Sequence, residues 1–479
     1  KFAECGDRIV KTSKGFIKID FIKEVFFQGN VPDYELELDR LVEKETVNLL
    51  LDSINESAKK PVKPKKIRLV DVVSDSAYMQ DSTAEEIVVP IGVVGNKKIQ
   101  EFSLSGEKVH AMVGGATGSG KTVLLHTMIM SMAKKYSPEE LDLYLLDYKE
   151  GTEFKIYESL PHIKVLSIAS ERSLGMSILN EMLEVIKKRG DDFKKLDVSS
   201  ISQYRAKSSK KLARIVCIID EFQVLLTGTD KIAINAGKAI DDIVRRGRSF
   251  GVHLILSTQT LAGINMETST MSNIGIRIAC KMDGKDSSRL LDKDNEDAKF
   301  LTVGEAIMNT EHGKLESNKK FRVAMQDTDE IKTEIAILEK ISKKAKIKKE
   351  RKIFDGSASG VFNPEYLESL DRNKSSKFID IYLGEPEELR EEHVSFRLKR
   401  QYGSNVIIAG DDIGQASLVV KTIMLWLLNA ASPAEKYYIV DLLDVDDDNK
   451  GFLEKLKKKG VDIINTDSAK LGDTIEAVA

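Results

Sequence analysis

Residues 115–122 read Gly-Ala-Thr-Gly-Ser-Gly-Lys-Thr. The glycines would let backbone N–H groups close around an anion, and a lysine and a hydroxyl stand beside them. This is the G-x-x-x-x-G-K-[ST] spacing of a loop that cradles nucleotide phosphates. On that reading Gly115, Ala116, Thr117, Gly118, Ser119, Gly120, Lys121, Thr122 and Val123 surround the phosphates of ATP. Lys121 reaches the β- and γ-oxygens, and the Thr122 hydroxyl ligates Mg2+. About a hundred residues further on, Arg214–Glu221 is an apolar run ending in two carboxylates. Asp220 would bind the Mg2+ shell, directly or through water, and Glu221 would orient and deprotonate an attacking water. Gln259, in Ser257-Thr258-Gln259, is a candidate sensor of the γ-phosphate, since a glutamine can hydrogen-bond phosphate or the lytic water. A transferring phosphoryl group also gains from a positive charge supplied by a neighbouring subunit. Arg246, Arg248, Arg277 and Arg289 are candidates for that role, and Asp147-Tyr148-Lys149 could add a charged group near the phosphates.

These groups need elements to hold them. Val109–Gly114 is an apolar run of strand length, and Val123–Lys134 is rich in Leu, Met and Ala at helical spacing, which gives strand, loop and helix around the glycines. Strands are expected at Val109–Val113, Leu141–Leu146, Lys164–Ile168, Ile215–Ile219 and Val252–Leu256, alternating with helical stretches such as Ser173–Arg189 and Ala236–Ser249. That alternation predicts an α/β fold with a mostly parallel central sheet flanked by helices on both faces.

A chain of 479 residues exceeds one core and predicts two or three domains. A net charge of −3 gives no whole-molecule attraction to a polyanion, so any nucleic-acid contact must come from local patches. Cys5, Cys217 and Cys280 are far apart, with neither disulfide nor metal-ligand spacing, as expected of reduced cysteines in a cytoplasmic protein. No run of 18 apolar residues and no signal peptide is visible, so any membrane tether is expected outside these 479 residues.

The sequence also repeats. Lys1–Gly15 and Lys299–Gly313 share Lys-Phe, Gly-acid, Ile, Thr and Gly in register, and Ser137-Pro138-x-Glu140 is echoed by Ser432-Pro433-x-Glu435 at nearly the same period. The expected organisation is the tail of one copy at 1–45, a lead-in at 46–85, a complete nucleotide-binding domain at 86–335, a basic linker at 336–375 and the front of a further copy at 376–479. Lys59–Lys66 and Ser342–Lys352 are basic runs that read as solvated connectors. In the last copy the loop reads Gly410-Asp-Asp-Ile-Gly414-Gln415-Ala416-Ser417, with no lysine and two added acids. That copy is expected to be inactive in hydrolysis and to serve assembly or regulation.

The motifs G-A-T-G-S-G-K-T, L-D-Y-K-E-G-T-E-F, I-I-D-E-F, R-R-G-R-S-F-G-V-H-L-I-L-S-T-Q, D-S-S-R-L-L-D and G-E-A-I-M resemble, in order, those of the FtsK/SpoIIIE motors over about residues 90–330. The resemblance implies RecA-like P-loop NTPase domains in tandem, ATP and Mg2+ as cofactors, and assembly into a six-subunit ring with an arginine supplied by the neighbour. It also implies translocation of double-stranded DNA as the leading function. Tandem copies with a degenerate member are similar as well to the multi-domain ATPases of type VII secretion, which act on protein cargo. A third group it resembles is the FtsK-like ATPases of bacterial defence and DNA-modification systems.

Overall fold

The computed structural model describes residues 8–11, 17–20, 44–59, 66–73, 78–95, 98–149, 153–168, 171–208, 211–264, 266–347, 349–355, 378–384, 394–399, 406–409, 413–430, 437–440 and 463–466. The chain divides into two compact units, Lys1–Lys65 and Lys66–Ala479. The first holds β1 (Arg8–Lys11) paired antiparallel with β2 (Ile17–Asp20), and helix α1 (Lys44–Lys59).

The second unit opens on Leu69, Val72 and Val73, all buried, and an antiparallel hairpin of β3 (Ile87–Val94) and β4 (Lys98–Leu104). Strand β5 (Ala111–Gly114) then feeds α2 (Lys121–Lys135) through the glycine loop. Next come β6 (Leu141–Asp147), β7 (Ile163–Ile168), α3 (Arg172–Lys195), α4 (Ile201–Lys207) and β8 (Arg214–Asp220). They are followed by α5 (Gln223–Leu226), α6 (Lys231–Phe250), β9 (Val252–Thr258), α7 (Thr268–Asn273), β10 (Ile276–Cys280) and α8 (Gly284–Leu290). An antiparallel pair, β11 (Glu305–Asn309) and β12 (Lys319–Val323), precedes α9 (Thr328–Lys344) and β13 (Lys352–Asp355). The strands form one sheet in the order β13-β7-β6-β8-β9-β5-β10-β11-β12-β3-β4, parallel from β13 to β10 and antiparallel beyond.

Helices cover both faces, which is why the central strands β8 and β9 are buried at every position and read as unbroken apolar runs. Val216 and Ile218 of β8 join the core beneath α2 and α9, while Ile215, Cys217 and Ile219 join the one beneath α3, α5 and α6. That is the two-residue alternation of a strand between two layers.

Two expected domain boundaries are corrected. Part of the 46–85 lead-in belongs to the sheet domain: Arg68 forms a bridge with Met325, and Leu69 is fully buried. The 336–375 linker, including the basic Ser342–Lys352 run, begins as structure instead. Helix α9 continues to Lys344 with Leu338 and Ser342 buried, Lys349 is paired with Asp142, Arg351 donates to the Glu158 carbonyl, and β13 extends the sheet alongside β7. Lys343, Lys344 and Lys346 are exposed while Leu338 and Ser342 of α9 are buried, so charge alone mislabelled the segment. Residues 60–65, the core of the first basic run, lie outside the described residues.

Further along, β14 (Phe378–Gly384) and β15 (Val394–Lys399) form an antiparallel hairpin on which α10 (Ile413–Ala430) packs, with Trp426 5.0 Å from Tyr382. Strands β16 (Tyr437–Val440) and β17 (Ile463–Thr466) pair in parallel. A shift of about 295 residues lays β15 on β4, α10 on α2 and β16 on β6. A similar shift lays β1 on β11, each the first strand of an antiparallel pair.

Candidate nucleotide site

Strand β9 lies between the glycine-loop strand β5 and the acid strand β8, with Gly114 opposite Thr258 and Asp147 of β6 opposite Asp220. All these strands run in parallel, so their C-terminal ends bring Asp147, Asp220, Ser257 and the glycine loop to one sheet edge. Lys121, the first residue of α2 and 6 % exposed, reaches across β9 to the acids. Its ammonium donates to Asp220 Oδ1, to Glu221 Oε1 at 3.0 Å and to Ser257 Oγ at 3.2 Å. An ammonium has three protons, and each has a partner here. Ser257 Oγ in turn donates to Asp220 Oδ1 at 2.7 Å.

The loop fits phosphate. Gly118 and Gly120 adopt φ of 74° and 99°, in the left-handed region that favours glycine. A Cβ on Gly115 would stand 2.5 Å from Ser119 Oγ and 2.8 Å from Cys280 Cβ, so a side chain there would collapse the cradle. Gly120 caps α2 without a side chain, which leaves the first-turn N–H groups open to an anion, and the buried Ser119 hydroxyl has no hydrogen-bond partner. Thr122, half-buried, follows Lys121 on the first turn of α2, and Asp220 ends β8. This donor set suits a magnesium nucleotide: open N–H groups and a lysine for the phosphates, and a hydroxyl and carboxylate for a hard cation.

Glu221 has φ of +54°, an uncommon conformation for a residue with a side chain. Its Oε2 accepts from Gln223 Nε2 at 2.6 Å and from the Gln259 backbone N–H at 3.3 Å. Burial pushes its carboxyl up, but the Lys121 charge and hydrogen bonds from Gln223, Lys121 and Gln259 more than offset this and hold it below the ordinary range. Asp147 goes the other way. Burial, together with the neighbouring charges of Asp220 and Glu153, raises it to about 7, against the Lys149 N–H and the Lys121 charge. The Gln259 side chain accepts from Thr117 Oγ1 at 2.7 Å, so the expected sensor touches the glycine loop through its side chain and the acid through its backbone.

Sequence reasoning passed over Ser257 and Gln223. Each lies two residues from one it did select, and the available signal was their position near the end of β9 and just after β8, which carries meaning only once those strands are neighbours.

The four arginines separate. Arg277 is corrected as a candidate for a neighbouring subunit: it is 8 % exposed in β10 and donates to the Leu291 carbonyl and, at 3.3 Å, to that of Met271. Its guanidinium is bound within its own domain. Arg246 and Arg248 are exposed on the last turns of α6, which lead into the start of β9 at the sheet edge opposite the glycine loop; Arg248 lies 3.8 Å from Glu107. Arg289 is exposed on α8 and donates to Asp286 at 3.2 Å.

Residues 68–263 match the FtsK/SpoIIIE family model. The chain is similar, at 32 % identity over 237 residues, to the ESX secretion system protein EccC of Geobacillus thermodenitrificans (strain NG80-2), covering 47 % of this chain and 16 % of that protein. It is 31 % identical over 237 residues to the ESX secretion system protein YukB of Bacillus subtilis (strain 168), covering 47 % and 15 %. The chain therefore spans only a small part of the length of these relatives. Among solved structures it resembles ATPases 2 and 3 of EssC from Geobacillus thermodenitrificans, with a TM-score of 0.54 and 18 % identity over 87 % of this chain and 76 % of that one. It also resembles the cytoplasmic domain of the type VII secretion ATPase EccC of Thermomonospora curvata, with a TM-score of 0.57 and 19 % identity over 84 % and 50 %. At these identities the likeness is one of fold. The matched residues enclose the glycine loop, the acid pair and Gln259, so the candidate nucleotide site lies within an FtsK/SpoIIIE-type domain.

Proposed function

We propose that this chain hydrolyses ATP and couples the reaction to protein export, as a type VII secretion-like ATPase. The observation that carries the choice of cargo is the similarity of half the chain to secretion proteins such as EccC and YukB. This moves the reading from duplex DNA to protein. The charge pattern supports the move. Arg245–Arg248 is the basic cluster a DNA backbone would meet, yet Arg245 is paired with Asp241 and Asp242, and Arg248 faces Glu107. Arginines already paired with carboxylates release few counterions on meeting DNA.

In the proposed mechanism the bound magnesium nucleotide supplies the reactive phosphoryl group, with Thr122 and Asp220 as the residues that would hold the metal. Lys121 leaves the carboxylates for the phosphate oxygens, because a second anion of higher charge then competes for the same three donors. Glu221 loses one of its donors and becomes free to accept a proton from water. Gln259, already against Thr117, would sense loading of the loop. Arg246 and Arg248 lie at the sheet edge away from their own glycine loop, so within an oligomer they would serve a neighbour's nucleotide. A ring of such subunits at the cytoplasmic face of a membrane is the arrangement proposed. Among the described residues no helix is long and apolar enough to cross a bilayer.

The test is a comparison of secreted proteins from cells carrying the wild-type, Lys121→Ala or Glu221→Gln protein, paired with ATP turnover of the purified full-length protein with and without linear duplex DNA. Both variants should strip the same set of proteins from the medium, with turnover indifferent to DNA. An unchanged set of secreted proteins, with turnover stimulated by DNA, would restore the DNA-translocase reading.

A further inference from the structure

Glu221 accepts a hydrogen bond from the side chain of Gln223, two residues on in the first turn of α5, at 2.6 Å. The other end of that amide meets Thr258, the last residue of β9, whose hydroxyl donates to Gln223 Oε1 at 2.7 Å. The orientation of the amide follows from charge. A carboxylate at 2.6 Å requires the NH2 group to face it, because an amide oxygen there would set two acceptors against each other. The oxygen must therefore face Thr258. That hydroxyl also lies 2.6 Å from the Thr260 carbonyl, and with one proton it can serve only one of the two acceptors at a time. Thr258 itself is fully buried.

From this geometry we infer that Gln223 is a positioning residue for Glu221, aiming its carboxylate from the end of β9 through Thr258. The inference rests on the proposed ATPase activity. It goes further by assigning the orientation of the glutamate to a side chain outside the glycine loop and the acid pair. Glu221 needs such a guide. Its backbone is in the left-handed region, and of its other ties the one to Lys121 is the one a nucleotide would remove. Once Lys121 moves to the phosphates, the Gln223 amide and the Gln259 N–H remain to hold the carboxylate. Through Thr258 the same amide is joined to the segment that begins at Gln259, so a shift of that segment when the loop is loaded would also turn the glutamate. The Gln223 side chain bonds to Glu221 and Thr258 and not to Lys121 or the glycine loop, so its loss should leave nucleotide affinity in place.

The experiment uses the full chain and measures steady-state ATP turnover, affinity for a fluorescent ATP analogue and melting temperature. The variants are Gln223→Ala, Thr258→Val, Glu221→Gln and the double substitution Gln223→Ala with Glu221→Gln. Expected is a fall in kcat of about tenfold to a hundredfold in Gln223→Ala, with KM and analogue affinity within about twofold of wild type. Thr258→Val should share that pattern in a milder form, as the second test of the relay. In the Glu221→Gln background Gln223→Ala should cost nothing further, because a positioning residue has no effect once the group it positions is gone. A fall of equal size in both backgrounds, or a loss that tracks melting temperature, would overturn the role and make Gln223 a structural residue. Unchanged kcat in Gln223→Ala would overturn it as well. Wild-type turnover no higher than that of Glu221→Gln would overturn the ATPase reading and this inference together, a result distinct from the others.

Discussion

Lys121 has two roles that can be separated by experiment. Without nucleotide it is the cation set against Asp220 and Glu221 in a site where all three side chains are nearly excluded from water. Removing one partner from such a cluster leaves buried charge uncompensated and costs about 3–5 kcal/mol, far more than an exposed pair. Lys121→Met should therefore lower the melting temperature of the nucleotide-free domain at pH 7.5 by roughly 6–12 °C. Adding Glu221→Gln should restore part of the loss, since it removes one of the stranded anions. Calorimetry on the two variants checks this, and equal melting temperatures for wild type and Lys121→Met would show that the acids find compensation elsewhere. The lysine, hydroxyl and acid pair were legible in sequence because each belongs to a short contiguous pattern. Ser257, Gln223 and the buried Asp147–Asp220 neighbourhood acquire their chemistry from strand order, with β9 between β5 and β8 and β6 beside β8, and no local pattern specifies that order.

At the scale of elements, the antiparallel side of the sheet and the segment after residue 335 were the least legible parts. The parallel strands were read from runs of apolar residues, which mark burial on both faces. By contrast, β12 has exposed lysines at its start and β13 has four residues, so neither presents such a run. Helix α9 is amphipathic, with Ile331, Ile335 and Leu338 buried at helical spacing against the α2 side of the sheet, but its lysine-rich end masked the pattern. Its start is well specified: Asp327 and Glu330 form a reciprocal capping box. The expectation follows that residues 336–355 are part of the ATPase domain's stability. A chain spanning 66–335 loses Leu338, Ser342, the Lys349–Asp142 pair and β13, leaving the edge of β7 unpaired. It should melt well below a chain spanning 66–355, or aggregate, since an open strand edge is a template for association. Matched melting temperatures of the two soluble, monomeric chains would return this segment to linker status.

At the scale of the whole molecule, the segment after residue 376 repeats an order of hairpin, helix and parallel strands, and we read it as a copy that keeps elements of the scaffold without the chemistry. Under the repeat shift Ala416 stands where Lys121 does, and Asp411 and Asp412 stand in the loop. A helix N-terminus contributes about 0.3–2 kcal/mol toward an anion, whereas a like charge at about 4 Å costs up to about 4 kcal/mol at an effective dielectric of 20. Repulsion wins, and the copy should not bind ATP. The chain provides its own reporter for this. Trp426, its single tryptophan, is buried in α10 against the β14–β15 hairpin, so its emission follows the melting of that copy. A non-hydrolysable ATP analogue at about 100 times its dissociation constant should stabilise the complete ATPase domain by about 2.7 kcal/mol and raise its calorimetric transition. The Trp426 transition should stay where it was, and in Lys121→Ala neither should move. A rise in the Trp426 transition that persists in Lys121→Ala would mean that the degenerate copy holds nucleotide itself. A rise that disappears in Lys121→Ala would instead mean that the two copies melt as a coupled pair, with the single intact site stabilising both.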